Sequence, residues 1–205
     1  MELMFLKNCK FLFITEHWLY SFELEAITIP GFTLASFYNR RRETWWFCYI
    51  CMSTDISFDT GYDLDFEPND FCFEFCAAKV HCELQTFLLI CIYRSPSSSF
   101  QEFYYHLEGL LAKIADLSLV TIAAGDFNVD FLQNDPKSVQ IKNILTSFNA
   151  KVMIREPTKV STTISTCLDN IIVLNAWRNP CCTTNDSSIL ARQYFASTKI
   201  IVIQI

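Results

Sequence analysis

Apolar positions fall into short blocks divided by polar clusters, and the blocks change their period once the chain reaches residue 100. Phe11-Leu12-Phe13-Ile14 is an unbroken apolar run halted by Thr15-Glu16, the pattern of a buried strand reaching a sheet edge. Phe32 to Tyr38 and Trp45 to Met52 predict two more strands, whereas Asp55 to Asp70 is acidic, lacks helical periodicity and is expected to be a surface loop. Phe71 to Val80 and Phe87 to Tyr93 follow as strands, the second ending at Arg94-Ser95-Pro96. Then Phe100, Phe103, Tyr104, Leu107, Leu111 and Ile114 recur at helical intervals behind Ser99 and Glu102, which have capping-box spacing. Leu119 to Ala124 predicts a central strand with the turn Gly125-Asp126-Phe127-Asn128 at its carboxyl end. Asp135-Pro136 supplies a cap and first-turn pair for a second helix, with Val139, Ile141, Ile144, Leu145 and Phe148 on its apolar face. Lys151 to Ile154, Leu168 to Leu174 and Lys199 to Ile205 complete the strands. Strands that outnumber helices, with some antiparallel pairing, predict an α/β sandwich of packed sheets with helices outside.

Length narrows this to one domain over residues 1–205, since 205 residues that are 51% apolar can bury one substantial core. Four glycines and six prolines leave no linker-like stretch. Leu3 to Ile14 is interrupted by Lys7, Asn8 and Lys10 and is followed by no small-residue cleavage site, and no other run approaches the roughly 18 apolar residues of a membrane span. A soluble, intracellular chain without membrane contact is expected, its ten cysteines reduced and packed as small hydrophobes. Cys48 and Cys51 have metal-like spacing, but in a strand they point to opposite faces, which argues against zinc. A net charge of −6 means that any nucleic acid is held weakly by this chain alone; the sole basic run, Arg40-Arg41-Arg42, reads as a solvated turn.

Asp126 and Asn128 are the residues with chemistry to offer. On a continued extended backbone they would point the same way, a carboxylate that can take a proton from water or share a metal beside a carboxamide that orients without repelling phosphate. Alone, the tetrapeptide is equally an ordinary turn. Three more clusters accompany it: Thr15-Glu16-His17-Trp18-Leu19, Cys91-Ile92-Tyr93-Arg94-Ser95-Pro96 and Leu168-Asp169-Asn170-Ile171-Ile172. Their order and strand-end placement resemble the endonuclease/exonuclease/phosphatase superfamily, and their wording resembles its branch in non-long-terminal-repeat retrotransposons, over residues 11–173. The resemblance implies a four-layer α/β sandwich of two mostly antiparallel or mixed sheets flanked by helices. It also implies hydrolysis of a DNA strand with Mg2+ or Mn2+, leaving a nick whose 3′-hydroxyl could prime reverse transcription. By match, Glu16 resembles the metal ligand, Tyr93 the phosphate-contacting phenol, Asp126 and Asn128 the pair acting on the attacking water, and Asp169 the carboxylate that orients a catalytic histidine. Arg94 and Thr158 are the implied substrate-binding residues; no obligate protein partner is implied, and a working enzyme of this kind would be nuclear.

Three features depart from the family pattern. A first strand carrying an asparagine has no room before Phe11, and Glu43-Thr44-Trp45-Trp46 replaces a glycine-rich turn. The closing Ser-Asp-His triplet is absent: His17, His81 and His106 all precede Asp169, and residues 175–205 form a divergent tail. Losing a group that stabilises charge at the scissile phosphate costs on the order of 10²–10⁴ in rate. The alternative expectation is therefore an inactive remnant that survives as a binding module, with a phosphoinositide-type phosphatase of the same superfamily in third place.

Overall fold

The computed structural model describes residues 9–15, 29–38, 48–59, 62–82, 85–117, 119–176 and 199–204. Arg40 to Arg42, the Glu43-Thr44-Trp45-Trp46 segment, Glu16, His17 and most of the divergent tail lie outside the described residues. The strands are β1 (Cys9–Thr15), β2 (Phe32–Tyr38), β3 (Cys48–Ser53), β4 (Ser57–Asp59), β5 (Glu74–Cys82) and β6 (Gln85–Tyr93), then β7 (Val120–Asp126) after helix α1 (Phe100–Leu117). Helix α2 (Pro136–Ser147) precedes β8 (Lys151–Val152), β9 (Lys159–Val160), β10 (Ser165–Thr166), β11 (Asp169–Leu174) and β12 (Lys199–Gln204).

Alternation along β6 explains the layering. Phe87, Leu89, Cys91 and Tyr93 face a core shared with the second sheet, while Leu88, Ile90 and Ile92 face the helices, so a strand buried on both sides reads as one apolar run. The six-stranded sheet has the order β4-β5-β6-β7-β11-β8 and packs on a four-stranded sheet of order β12-β1-β3-β2, with β9 and β10 forming a separate hairpin. Mixed sheets with helices outside are the expected α/β sandwich. Leu12, Ile14, Tyr49 and Cys51 are buried on the outer face of the smaller sheet.

Helix α1 buries Phe100, Phe103, Leu107, Leu110, Leu111 and Ile114 against the larger sheet. At ~1.5–3 kcal/mol for each such side chain, this stripe contributes on the order of 10 kcal/mol before chain entropy, far above the ~1 kcal/mol of a cap. The box itself is only half formed: Glu102 N–H donates to Ser99 Oγ at 3.4 Å, while the Glu102 carboxylate accepts from Asn69 Nδ2 at 2.7 Å.

One expectation is revised. The segment 55–70 is more than a surface loop, because its apolar residues alternate with its acids: Leu64 is buried, Phe66 packs on Phe73 and Phe75, and β4 pairs with β5. Its carboxylates stay outside, Asp59 meeting His81 Nε2 at 2.9 Å and Asp65 meeting Lys113 at 2.9 Å. Strand β1 is paired on both sides. It pairs with β3 on one side and, in parallel, with β12 on the other, so the terminal run takes the place beside it. Hairpin β9-β10 went unread because two-residue strands carry no period. Among the described residues no helix is long and apolar enough to cross a membrane.

Gly125 sits where β7 crowds β6. Its φ is +150°, and a Cβ built there would lie 1.9 Å from the Ile92 carbonyl oxygen. Gly125→Ala would push the two strands apart and is expected to cost at least about 3 kcal/mol, measured by denaturant unfolding. Helix α2 is capped by Asp135, which accepts from Lys137 N–H at 2.9 Å and Ser138 N–H at 3.2 Å. Asp135→Ala is expected to cost about 1 kcal/mol near neutral pH. The Ser138 hydroxyl, then the backbone N–H groups, hold this carboxyl below its ordinary range. The stabilisation is therefore present above the unfolded Asp value of about 3.9 and is lost as pH falls through the lower folded value, so the two thermal melts should converge in acid.

Candidate active site

Parallel pairing of β6 and β7 brings two strand ends to one edge, with Tyr93 opposite Asp126. Antiparallel β11 starts at that edge with Asp169 opposite Asp126, and antiparallel β5 starts there with Glu74 opposite Tyr93. Directly paired residues share a face of a sheet. Glu74, Tyr93, Asp126 and Asp169 thus form one row across four strands. It faces the smaller sheet, in line with the core residues Cys76, Cys91, Ala124 and Ile171. Glu74, Tyr93 and Asp126 are almost fully buried and Asp169 is half-buried. Carboxylates at such depth are rare outside functional or tightly paired settings.

The Gly-Asp-Phe-Asn turn is anchored from below and closed from above. Phe127 is fully buried in the helix-side core, edge-on to Phe131 at 5.5 Å and to Phe103 at 6.5 Å, and its N–H donates to Leu168 O at 3.0 Å. The strand ends at Asp126, and Asn128 takes φ +47°, a left-handed conformation that asparagine tolerates. The expected extended backbone is therefore replaced by a turn, which brings the pair together by folding back. Asn128 N–H donates to Asp126 Oδ1 at 2.8 Å, and Asn128 Nδ2 donates to Asp126 Oδ2 at 3.1 Å and to Arg94 O at 2.6 Å. Both oxygens of Asp126 are held by one neighbour.

Arg94 lies on the helix side of the sheet, over the rings of Phe103 at 5.6 Å and Phe100 at 5.9 Å. It is 2% exposed and donates to Asn128 O at 3.1 Å and Ser98 O at 3.0 Å, so it braces the turn from behind. Burial pushes this guanidinium below its ordinary range, while Cys72, Asp126 and Tyr93 pull it back up; arginine stays charged under such displacement. Thr158 likewise acts on backbone. Its Oγ1 accepts from Leu168 N–H at 3.2 Å and Asp169 N–H at 3.3 Å, fixing the start of β11. Asp130 completes the stitching, with Oδ1 accepting from Cys167 N–H at 2.9 Å and Leu132 N–H at 3.1 Å.

Glu16 lies outside the described residues, but Thr15, just before it, is fully buried on the strand face shared with Phe11 and Phe13. Cys91 Sγ donates to Ile14 O at 3.8 Å, which sets the end of β1 across from the end of β6. Neither described histidine is near Asp169's row: His81 is at the far end of β5 from Glu74, bonded to Asp59, and His106 on α1 stacks on Phe73 and meets Asn69 Nδ2 at 3.2 Å. Cys48 and Cys51 do face different cores. Burial pushes the Cys48 thiol up and Cys51 to about 12, as for neutral packed side chains. Glu74 and Asp130 were missed by sequence reasoning. The available signals were a carboxylate inside the apolar run Phe73-Glu74-Phe75, and a second aspartate four residues after Asp126.

No protein-family model and no curated protein sequence matches this chain. Solved structures do. The endonuclease domain of TRAS1, a telomere-specific non-LTR retrotransposon, aligns with TM-score 0.56 and 11% identity over 80% of this chain and 85% of that one. D. rerio TDP2 complexed with a single-strand DNA product aligns with TM-score 0.59 and 16% identity over 83% and 73%. ANGEL2, a 2′,3′-cyclic phosphatase, aligns with TM-score 0.58 and 12% identity over 82% and 71%. At such identities the likeness is one of fold, and the fold of this chain is that of the endonuclease/exonuclease/phosphatase superfamily.

Proposed function

We propose that the protein is a divalent-metal-dependent phosphodiesterase of the retrotransposon-endonuclease type, which nicks DNA and leaves a 3′-hydroxyl. The observation that carries this reading is the row Tyr93-Asp126-Asp169 at one sheet edge, with Asn128 clamped onto Asp126. Likeness in fold to a retrotransposon endonuclease domain and to a protein complexed with a DNA product supports it.

The donor set is all oxygen, which suits a hard cation such as Mg2+ or Mn2+ rather than a thiolate-seeking metal. Among the described residues no group of three or more His, Cys, Asp or Glu could hold a metal. The fit is thus one of donor type: Glu16 would hold the ion, and Mg2+ suits a site with few protein oxygen ligands and water or phosphate oxygens besides. When bound, it would offset charge building on the phosphoryl oxygens.

The chain's own groups supply the rest. Both Nδ2 hydrogens of Asn128 are committed, to Asp126 and to Arg94 O, which leaves Oδ1 to accept one proton of the attacking water. Asp126 takes the other. Tyr93 donates its phenol to a non-bridging phosphate oxygen, and Arg94 and Thr158 are positioning residues that hold Asn128 and Asp169. Neither His81 nor His106 reaches Asp169; a site without an imidazole there would protonate the leaving oxygen from solvent and turn over more slowly by on the order of 10²–10⁴. That same observation favours the second reading, a binding module without turnover.

Purified protein with supercoiled plasmid and Mg2+ distinguishes the two. Relaxation of the plasmid that disappears with EDTA and falls at least about 100-fold in Asp126→Ala is the expected result. Equal, metal-independent nicking by wild type and variant would leave the binding module as the better reading.

A further inference from the structure

A groove of about 580 Å3 opens where the carboxyl-terminal part of α2 meets β8. Lys142, Lys151 and Arg155 line it together with Thr146 and the exposed Met153, and none of its described lining residues is acidic. This is unusual for a chain of net charge −6. Elsewhere Lys10 meets Asp55, Lys79 meets Asp59 and Lys113 meets Asp65. Lys142 instead donates to neutral acceptors, Gln133 O at 2.7 Å and Asn134 Oδ1 at 3.4 Å, so its charge is not cancelled there.

The groove is connected to the active edge by strand direction. β8 runs antiparallel to β11, with Lys151 opposite Val173 and Val152 opposite Ile172. Past the strand, Met153 N–H donates to Ile171 O at 2.9 Å and Ile154 N–H to Asn170 Oδ1 at 3.1 Å. Arg155 follows at the level of Asp169. Lys151 lies four residues back, about 13 Å at ~3.3 Å per residue. The cations therefore extend away from the reacting edge along the border of the sheet. The partial negative charge at the end of α2, about half an electron, opposes an anion there but is smaller than the charge of Lys142, which rests on neutral acceptors.

We propose that this groove binds the phosphodiester backbone of the DNA flanking the bond at the active edge. It supplies affinity that the acidic remainder of the chain lacks. The identity of the polymer rests on the DNA-nicking reading of the active edge; the charge and placement of the groove do not.

The test is binding of a fluorescent 20-nucleotide duplex, followed by anisotropy in EDTA so that no turnover occurs. Compared with wild type, the triple variant Lys142→Gln/Lys151→Gln/Arg155→Gln is expected to raise Kd about tenfold or more at low salt. The slope of log affinity against log salt should fall by roughly 2–3, at ~0.9 per lost phosphate contact. The double variant Lys151→Gln/Arg155→Gln should lose about two-thirds of that slope, and unchanged thermal melting excludes misfolding. Absence of wild-type binding at low salt, an unchanged slope in the triple variant, or equal displacement of DNA by polyglutamate of matched charge would overturn the proposal. The plasmid assay run separately with Mg2+ keeps the two readings apart: groove-dependent binding in EDTA without any nicking by wild type in Mg2+ counts against the chemistry alone.

Discussion

The parallel contact between β6 and β7 is the constraint on which the site depends. It brings the ends of both strands to a single edge, and α1 is the crossover that makes parallel pairing possible. The strands approach so closely at Gly125 that no side chain fits against Ile92. Because β5 and β11 flank this pair in antiparallel sense, their first residues arrive where the others end. Four side chains from segments almost a hundred residues apart become neighbours through backbone pairing alone.

Once polar groups are gathered at a buried edge, each needs a partner, and this need explains the loops. Arg94 Nη1, Thr158 Oγ1 and Asp130 Oδ1 bond backbone atoms of the turns that carry Asn128, Asp169 and Cys167. Phe127 holds the same turn from the helix side by burial. A rigid support of this kind lets Asn128 keep a left-handed backbone that would otherwise cost free energy of order 1 kcal/mol. The arrangement also divides labour between the faces of one sheet: cations and aromatics brace from the helix side, while carboxylates and the phenol look toward the smaller sheet.

Charge is distributed with the same asymmetry. Acidic residues outnumber basic ones along the chain and cluster in the segment 55–70, at the β4 end of the larger sheet, whereas Lys142, Lys151 and Arg155 collect at the opposite border beside β8.

By itself the sequence determined the helices, because six apolar residues of α1 at helical spacing leave one stable way to bury them, and it determined most strands, because unbroken apolar runs such as Phe87 to Tyr93 must be covered on both faces. It also pointed to Tyr93, Asp126, Asn128 and Asp169 as strand-end residues, since polar groups halting apolar runs are local features. Only the tertiary structure decided which of them meet. Register between β5, β6, β7 and β11 depends on pairing across long separations, and from it came the part of Glu74 in the row, the place of β12 beside β1, and the turn that folds Asn128 back onto Asp126. The inward or outward sense of Arg94 was equally hidden. Residues 93 and 94 are adjacent in the chain, and the alternation of a strand sends them to opposite sides of the sheet, one to the site and the other to its support.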